Sequence, residues 1–203
     1  MFFHDISPIL FELGPLSLRW YGLFFALGLV IAYFFVRHLI KRKGHNPEIV
    51  DSVVFYLIIG VIIGARLGHV FFYHPLDYLS NPISILYVWN GGLSSHGATL
   101  GILISYLIWL KVHKTKFAEH LTELVLGIPI VATMVRIGNF FNSEIIGIPT
   151  NNEWGVIFHR LGEDFPRHPA QLYEAALNLA LFAILYLLYR ARAPHLPKSF
   201  FLF

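Results

Sequence analysis

The chain has 203 residues, of which 56% are hydrophobic, 16% aromatic and only 13% charged, with a mean hydropathy of +0.63; soluble domains carry about 25% charged residues. That balance excludes a soluble globular domain, and a net charge of +3 whose basic residues track membrane topology does not mark a nucleic-acid binder. With no cysteine, the chain has no disulfide, thiolate metal site or cysteine nucleophile, so any thiol in its chemistry belongs to a substrate.

In chain order, five apolar runs reach the roughly 20 residues that a membrane crossing needs: 17–40, 50–73, 93–111, 121–141 and 169–190. The first run lacks a basic leader and a small-residue cleavage site, so it reads as a span rather than a removable signal. Arg37, Lys41, Arg42 and Lys43 follow span one, Lys111, Lys114 and Lys116 follow span three, and Arg190, Arg192 and Lys198 follow span five. These residues, ten of the 15 Lys and Arg, fall on one side. The positive-inside rule then puts the N-terminus outside and the C-terminus inside. The expectation is an all-α, polytopic transmembrane helix bundle, a single integral membrane domain over 1–203. The long segment 142–168, with Pro149, Trp154 and Gly155, predicts an ordered, turn-rich extracytoplasmic loop.

This orientation sends one end of every span to the outer leaflet, and the polar clusters sit at those ends. Trp20-Tyr21-Gly22 opens span one, and Arg66 lies near the outer end of span two. Gly91-Gly92-Leu93-Ser94-Ser95-His96-Gly97 opens span three, and Arg136-Ile137-Gly138-Asn139 closes span four. Gln171, Tyr173 and Glu174 open span five.

Arg136 interrupts an apolar helix, where a guanidinium costs roughly 2.5–3.5 kcal/mol at the helix centre on insertion scales. It either snorkels to the surface or offers its planar fork to an anion, most simply a phospholipid phosphate. Arg66 is read either as half of an intramembrane ion pair with Glu174 or Glu144, or as a substrate contact. His96 follows glycines that let backbone approach a ligand closely, and a histidine exchanges protons near neutral pH. It is either a base or an orienting hydrogen bonder. Asn139, one turn after Arg136, shares its face; it caps the helix or joins the site. Glu144 orients Arg136 or binds a substrate amide. Glu174 alone suits a helix N-terminus. Gly60 and Gly64 read as helix packing. The sequence has no HExxH and no close histidine pair with carboxylate spacing, so no metal site is expected. Ser94 and Ser95 lack the surroundings of a hydrolase elbow.

The stretches Ser17-Leu18-Arg19-Trp20-Tyr21-Gly22-Leu23, Ala65-Arg66-Leu67-Gly68, Trp89-Asn90-Gly91-Gly92-Leu93-Ser94-Ser95-His96-Gly97, Arg136-Ile137-Gly138-Asn139-Phe140-Phe141-Asn142-Ser143-Glu144 and Arg167-His168-Pro169-Ala170-Gln171-Leu172-Tyr173-Glu174 resemble the prolipoprotein diacylglyceryl transferase family of bacterial inner (cytoplasmic) membranes. The Arg136–Glu144 segment matches the family signature. The resemblance implies transfer of the diacylglyceryl group of phosphatidylglycerol to the thiol of a lipobox cysteine in a preprolipoprotein signal peptide. The products would be a thioether and glycerol-1-phosphate, with no metal or nucleotide cofactor. It also implies a site at the outer leaflet, with His96, Arg136 and Tyr21 as candidate catalytic residues. Arg136 would hold phosphate, supported by Asn139 and Glu144, and Tyr21 would line the site. Arg66, Gly91, Gly92, Ser95, Gln171 and Tyr173 complete the candidate substrate contacts.

Three departures from the family pattern stand out. Ala98 replaces a usual glycine after the histidine, and Val135 replaces the glycine before Arg136. The chain also stops at Lys198-Ser199-Phe200-Phe201-Leu202-Phe203, where the family usually continues through about two more spans and another arginine-bearing motif. Two rival expectations follow: a short, non-catalytic lipid-binding homologue, and a small transporter. Polar residues gathered at one face, without an internal repeat, argue against the second.

Overall fold

In a computed structural model, residues 2–14, 16–73, 75–87, 92–151 and 154–192 are described. Five long helices carry the fold: α1 (Trp20–Arg42), α2 (Glu48–Phe72), α4 (Ser95–His113), α5 (Leu121–Asn142) and α6 (Ala170–Arg192), with the short α3 (Pro75–Ser80) between the second and third of them. All five are long and apolar enough to cross a membrane. Their bounds fall close to the expected spans, with one correction at the start. Residues 17–19 are not helical but belong to a strand, and the helix begins at Trp20. The reason is local: β2 (Ile9–Leu13) and β3 (Leu16–Arg19) form an antiparallel hairpin entered through Gly14 at φ +59°, a conformation suited to glycine.

A second ladder lay beyond the expectation of helices alone. β1 (Phe2–His4) pairs in parallel with β4 (Val156–Phe158), in the register Phe2↔Val156, Phe3↔Ile157 and His4↔Phe158. Three-residue strands are too short to reveal a period of two, so only the fold exposes them.

The chain divides into two compact units, Met1–Leu39 with Thr122–Phe203, and Ile40–Leu121. In the second unit, α2 and α4 meet along Gly60, Gly64 and Gly68 against Gly97, Gly101 and Ser105. A Cβ on Gly64 would stand 2.7 Å from the Cα of Gly101, and one on Gly68 would stand 2.6 Å from the Cα of Gly97. Backbones in such contact gain dispersion energy where lipid leaves no hydrophobic drive between helices. The packing reading of Gly60 and Gly64 therefore holds. In the first unit, Gly28 of α1 plays the same part against α5, where a Cβ would lie 2.9 Å from Met134 Cβ.

The described residues of 142–168, which are 142–151 and 154–168, are folded, as expected from the turn residues. His168 N–H donates to Ile148 O at 3.0 Å and Thr150 N–H to Pro166 O at 2.9 Å. Val156 and Arg167 exchange both backbone hydrogen bonds, at 2.9 and 2.8 Å. Arg167 then grips Glu163 with Nε and a terminal nitrogen, both at 2.6 Å, and donates to Gly147 O at 3.2 Å.

Candidate functional site

In the first unit, Arg136 is half-buried on α5, and its Nε lies 2.5 Å from a carboxylate oxygen of Glu174 on α6. The sequence offered Glu144 as its orienter; the partner is Glu174. A charge embedded in an apolar helix needs an opposite charge or water, and Glu174, just past the first turn of α6, supplies one. Glu144 instead accepts from the side-chain amides of Asn142 at 3.0 Å and Asn139 at 3.4 Å. Its backbone carbonyl accepts from Gln171 Nε2 at 2.6 Å, and its backbone N–H donates to Asn139 O at 3.0 Å. Asn139 and Gln171 are buried. The side-chain oxygens of Asn139, Asn142 and Gln171 are buried acceptors with no hydrogen-bond partner among the described residues. Such groups normally find a donor, so this corner can take hydroxyl or N–H groups from a ligand.

Tyr21, in the first turn of α1, lies over Gly138. A Cβ on Gly138 would be 3.1 Å from Tyr21 Cα and 3.2 Å from its Cδ2. Gly138 thus lets Tyr21 approach the signature segment beside Asn139. Tyr173 is exposed, with its hydroxyl 3.2 Å from His168 Nδ1 and its ring 6.0 Å from that of Trp154. In the sequence, Trp154 counted only toward an ordered loop and His168 only toward the family-like stretch; neither was read as a candidate site residue.

In the second unit, Arg66 is 5% exposed. Its nitrogens donate to backbone carbonyls: Nε to Ile85 at 2.7 Å, and the terminal nitrogens to Ser84 at 2.6 Å and Gly92 at 3.1 Å. The ring of Tyr78 lies 5.1 Å from the guanidinium carbon. Arg66 therefore ties down the segment leading into α4 and satisfies carbonyls that a loop would otherwise leave bare. Glycine is required at position 92 twice over. Its φ is +74°, and a Cβ would reach within 2.6 Å of His69 Nε2. Gly91 lies outside the described residues.

His96 and Ser95 open α4 and are exposed. The buried Ser94 is the N-cap, its Oγ accepting from Gly97 N–H at 3.2 Å, a signal present in the sequence as Ser-Ser before a helix. The geometry leaves the His96 ring available to a partner from outside the helix.

One group of possible metal ligands was not foreseen. His45, Glu119 and His120 bring one ligand atom each within 4.8 Å of one another. Lys43 Nζ donates to Glu119 O at 3.0 Å; that cation, beside the group, opposes a divalent ion.

The profile of the family described as "Prolipoprotein diacylglyceryl transferase" matches residues 8–203. Curated relatives named phosphatidylglycerol–prolipoprotein diacylglyceryl transferase include that of Tolumonas auensis, 41% identical over 94% of this chain and 74% of the relative. The protein of Chloroherpeton thalassium is 42% identical over 92% of this chain and 70% of its own length. That of Cupriavidus metallidurans is 41% identical over 94% and 73%. The chain belongs to the prolipoprotein diacylglyceryl transferase family.

Proposed function

We infer that this chain transfers the diacylglyceryl group of phosphatidylglycerol to the thiol of a lipobox cysteine in a preprolipoprotein. The observation that carries the reading is Arg136: a half-buried guanidinium in the signature segment, held by Glu174 beside a buried amide cluster. The family membership gives the reaction; the residues suggest how it runs.

In the proposed step, the substrate thiol loses its proton and its sulfur attacks the glyceryl carbon that bears the phosphate ester. The carbon–sulfur bond forms as the carbon–oxygen bond to phosphate breaks. Glycerol-1-phosphate leaves with the bonding pair. A thiol with pKa near 8.5 is only a few per cent ionised at pH 7, so deprotonation needs a base or a nearby positive charge. Arg136 is placed to carry the phosphate, where its fork meets charge that grows on the leaving oxygen. Bound phosphate competes with Glu174 for that fork. The buried oxygens of Asn139, Asn142 and Gln171 can accept from glycerol hydroxyls. In the second unit, the family resemblance makes His96 the base or the group that orders the head group, with Gly92 and Ser95 beside it; in the first, Tyr21 and Tyr173 line the approach to Arg136. Arg66 acts at one remove, through the loop ahead of α4 that it ties to α2. The reaction asks for no metal or nucleotide. The proposed setting is the bacterial inner membrane, with this site at the outer leaflet, where lipid and signal peptide meet.

The test mixes purified chain with phosphatidylglycerol micelles and a lipobox peptide and follows the peptide's mass. A diacylglyceryl gain that vanishes with Arg136→Gln supports the reading. A folded, lipid-binding chain that never modifies the peptide overturns it and leaves a non-catalytic homologue.

A further inference from the structure

Two residues flanking Glu144 hold a backbone conformation that side chains avoid. Ser143 has φ 56° and Ile145 has φ 53°. A positive φ is uncommon outside glycine and a genuine outlier for a β-branched residue. Such residues persist where their surroundings over-determine them, and they gather at functional sites. Part of the surroundings comes from the far N-terminus. His4 is fully buried, with Nδ1 3.3 Å from Ser143 Oγ. Its ring stands edge-on to Phe140 at 4.6 Å and tilted against Phe158 at 5.4 Å. The parallel pairing of β1 with β4 fixes its height, His4 opposite Phe158.

Burial pushes the His4 imidazole below its ordinary pKa of 6.5; nearby Arg160 adds to this, against its own backbone hydrogen bond and Asp5. The ring is thus neutral at pH 7. Its Nε2 has no hydrogen-bond partner among the described residues. A buried ring nitrogen left bare is costly, so packing alone would favour phenylalanine here. Histidine's distinguishing contribution is the contact with Ser143. Glu144 follows directly, bonded to Asn139 and Asn142 through its carboxylate and to Gln171 through its carbonyl.

We propose that His4 is a positioning residue: through Ser143 it holds the turn that presents Glu144 to Asn139 and Gln171. This rests on the transferase reading for its effect on rate, but not for its effect on the turn. The two are therefore read separately in the full chain in detergent. Hydrogen exchange is followed on peptides covering 139–148, and kcat and KM are measured for transfer to a lipobox peptide. His4→Phe keeps the aromatic packing and removes Nδ1. His4→Asn keeps a polar atom at the δ position.

The expected result for His4→Phe is exchange about tenfold faster in 139–148 and a kcat about tenfold lower, with KM within about twofold. His4→Asn returns both toward wild type, and peptides from α4 are unchanged in either variant. Wild-type exchange in His4→Phe overturns the proposal whether or not the chain is active. Faster exchange in α4 as well makes His4 a general packing residue and also overturns it. Faster exchange confined to 139–148, in a chain whose wild type never transfers lipid, upholds the positioning and rejects the transferase reading instead.

Discussion

Arg136 and Glu174 solve one problem from opposite signs, since neither charge is comfortable beside apolar helices and each supplies what the other lacks. The Glu174 side chain is 41% exposed, so the pair is worth only about 0–1 kcal/mol of stability. Its larger effect is on what else the guanidinium can hold. Glu174→Gln is expected to leave the chain folded and to tighten binding of soluble glycerol phosphate by roughly three- to tenfold, as a competing negative charge is removed; a titration of the detergent-solubilised protein measures this. Unchanged or weaker affinity would place the phosphate elsewhere. In the loop, the hydrogen bond from Arg167 holds the Glu163 carboxyl below its ordinary pKa of 4.5. Because the folded value is the lower one, the pair's stabilisation is present above 4.5 and fades as pH falls through the folded value. Protection of the Thr150 and Val156 amides, with exchange corrected for its intrinsic pH dependence, should therefore fall in that acidic window, and Arg167→Ala should remove that fall. Arg136 was legible in the sequence because a charge within an apolar run stands out. Its partner was not, because Glu144, Glu163 and Glu174 all follow the same span, and spacing cannot choose among carboxylates on different elements. His4 was invisible for another reason: it precedes the first span, in a strand too short to have a pattern.

The helices were readable because each is a long apolar run and the Lys and Arg gather at one end of the spans, and a membrane demands that length. The strand pairs were not, since their partners are chosen by tertiary contact. At this scale the glycines differ sharply in what they do. Gly64→Ala drives a Cβ into the backbone of α4, where Gly101 Cα would lie at 2.7 Å, and should cost about 1–3 kcal/mol as overpacking. Gly22→Ala, with nothing within 4 Å of the added carbon, should be neutral or stabilising by up to about 1 kcal/mol. Thermal melts of the two variants in one detergent would separate these outcomes. Equal melting temperatures would mean that α2 and α4 do not pack as described.

For the molecule as a whole, the distribution of Lys and Arg predicts an orientation, with the N-terminus outside and the C-terminus inside. A reporter that works only outside the cytoplasm should be active when inserted near Leu161 and silent when placed after Arg190, and a cytoplasmic reporter should give the reverse. The opposite pattern would turn the proposed site toward the cytoplasm, away from any exported signal peptide.

The pairing of β1 with β4 also imposes an order in time. His4 leaves the ribosome well before Ser143, which lies 139 positions later in the chain. At about 5–20 residues per second, the wait is on the order of 10–30 s. During it the N-terminal strand has no edge to join, while the helices between are already being threaded into lipid. The turn around Glu144 therefore cannot be locked until the chain has been made through β4. Assembly ends by returning to a strand made ahead of these helices, so a nascent protein whose β1 is held back would insert its helices and still lack a finished turn.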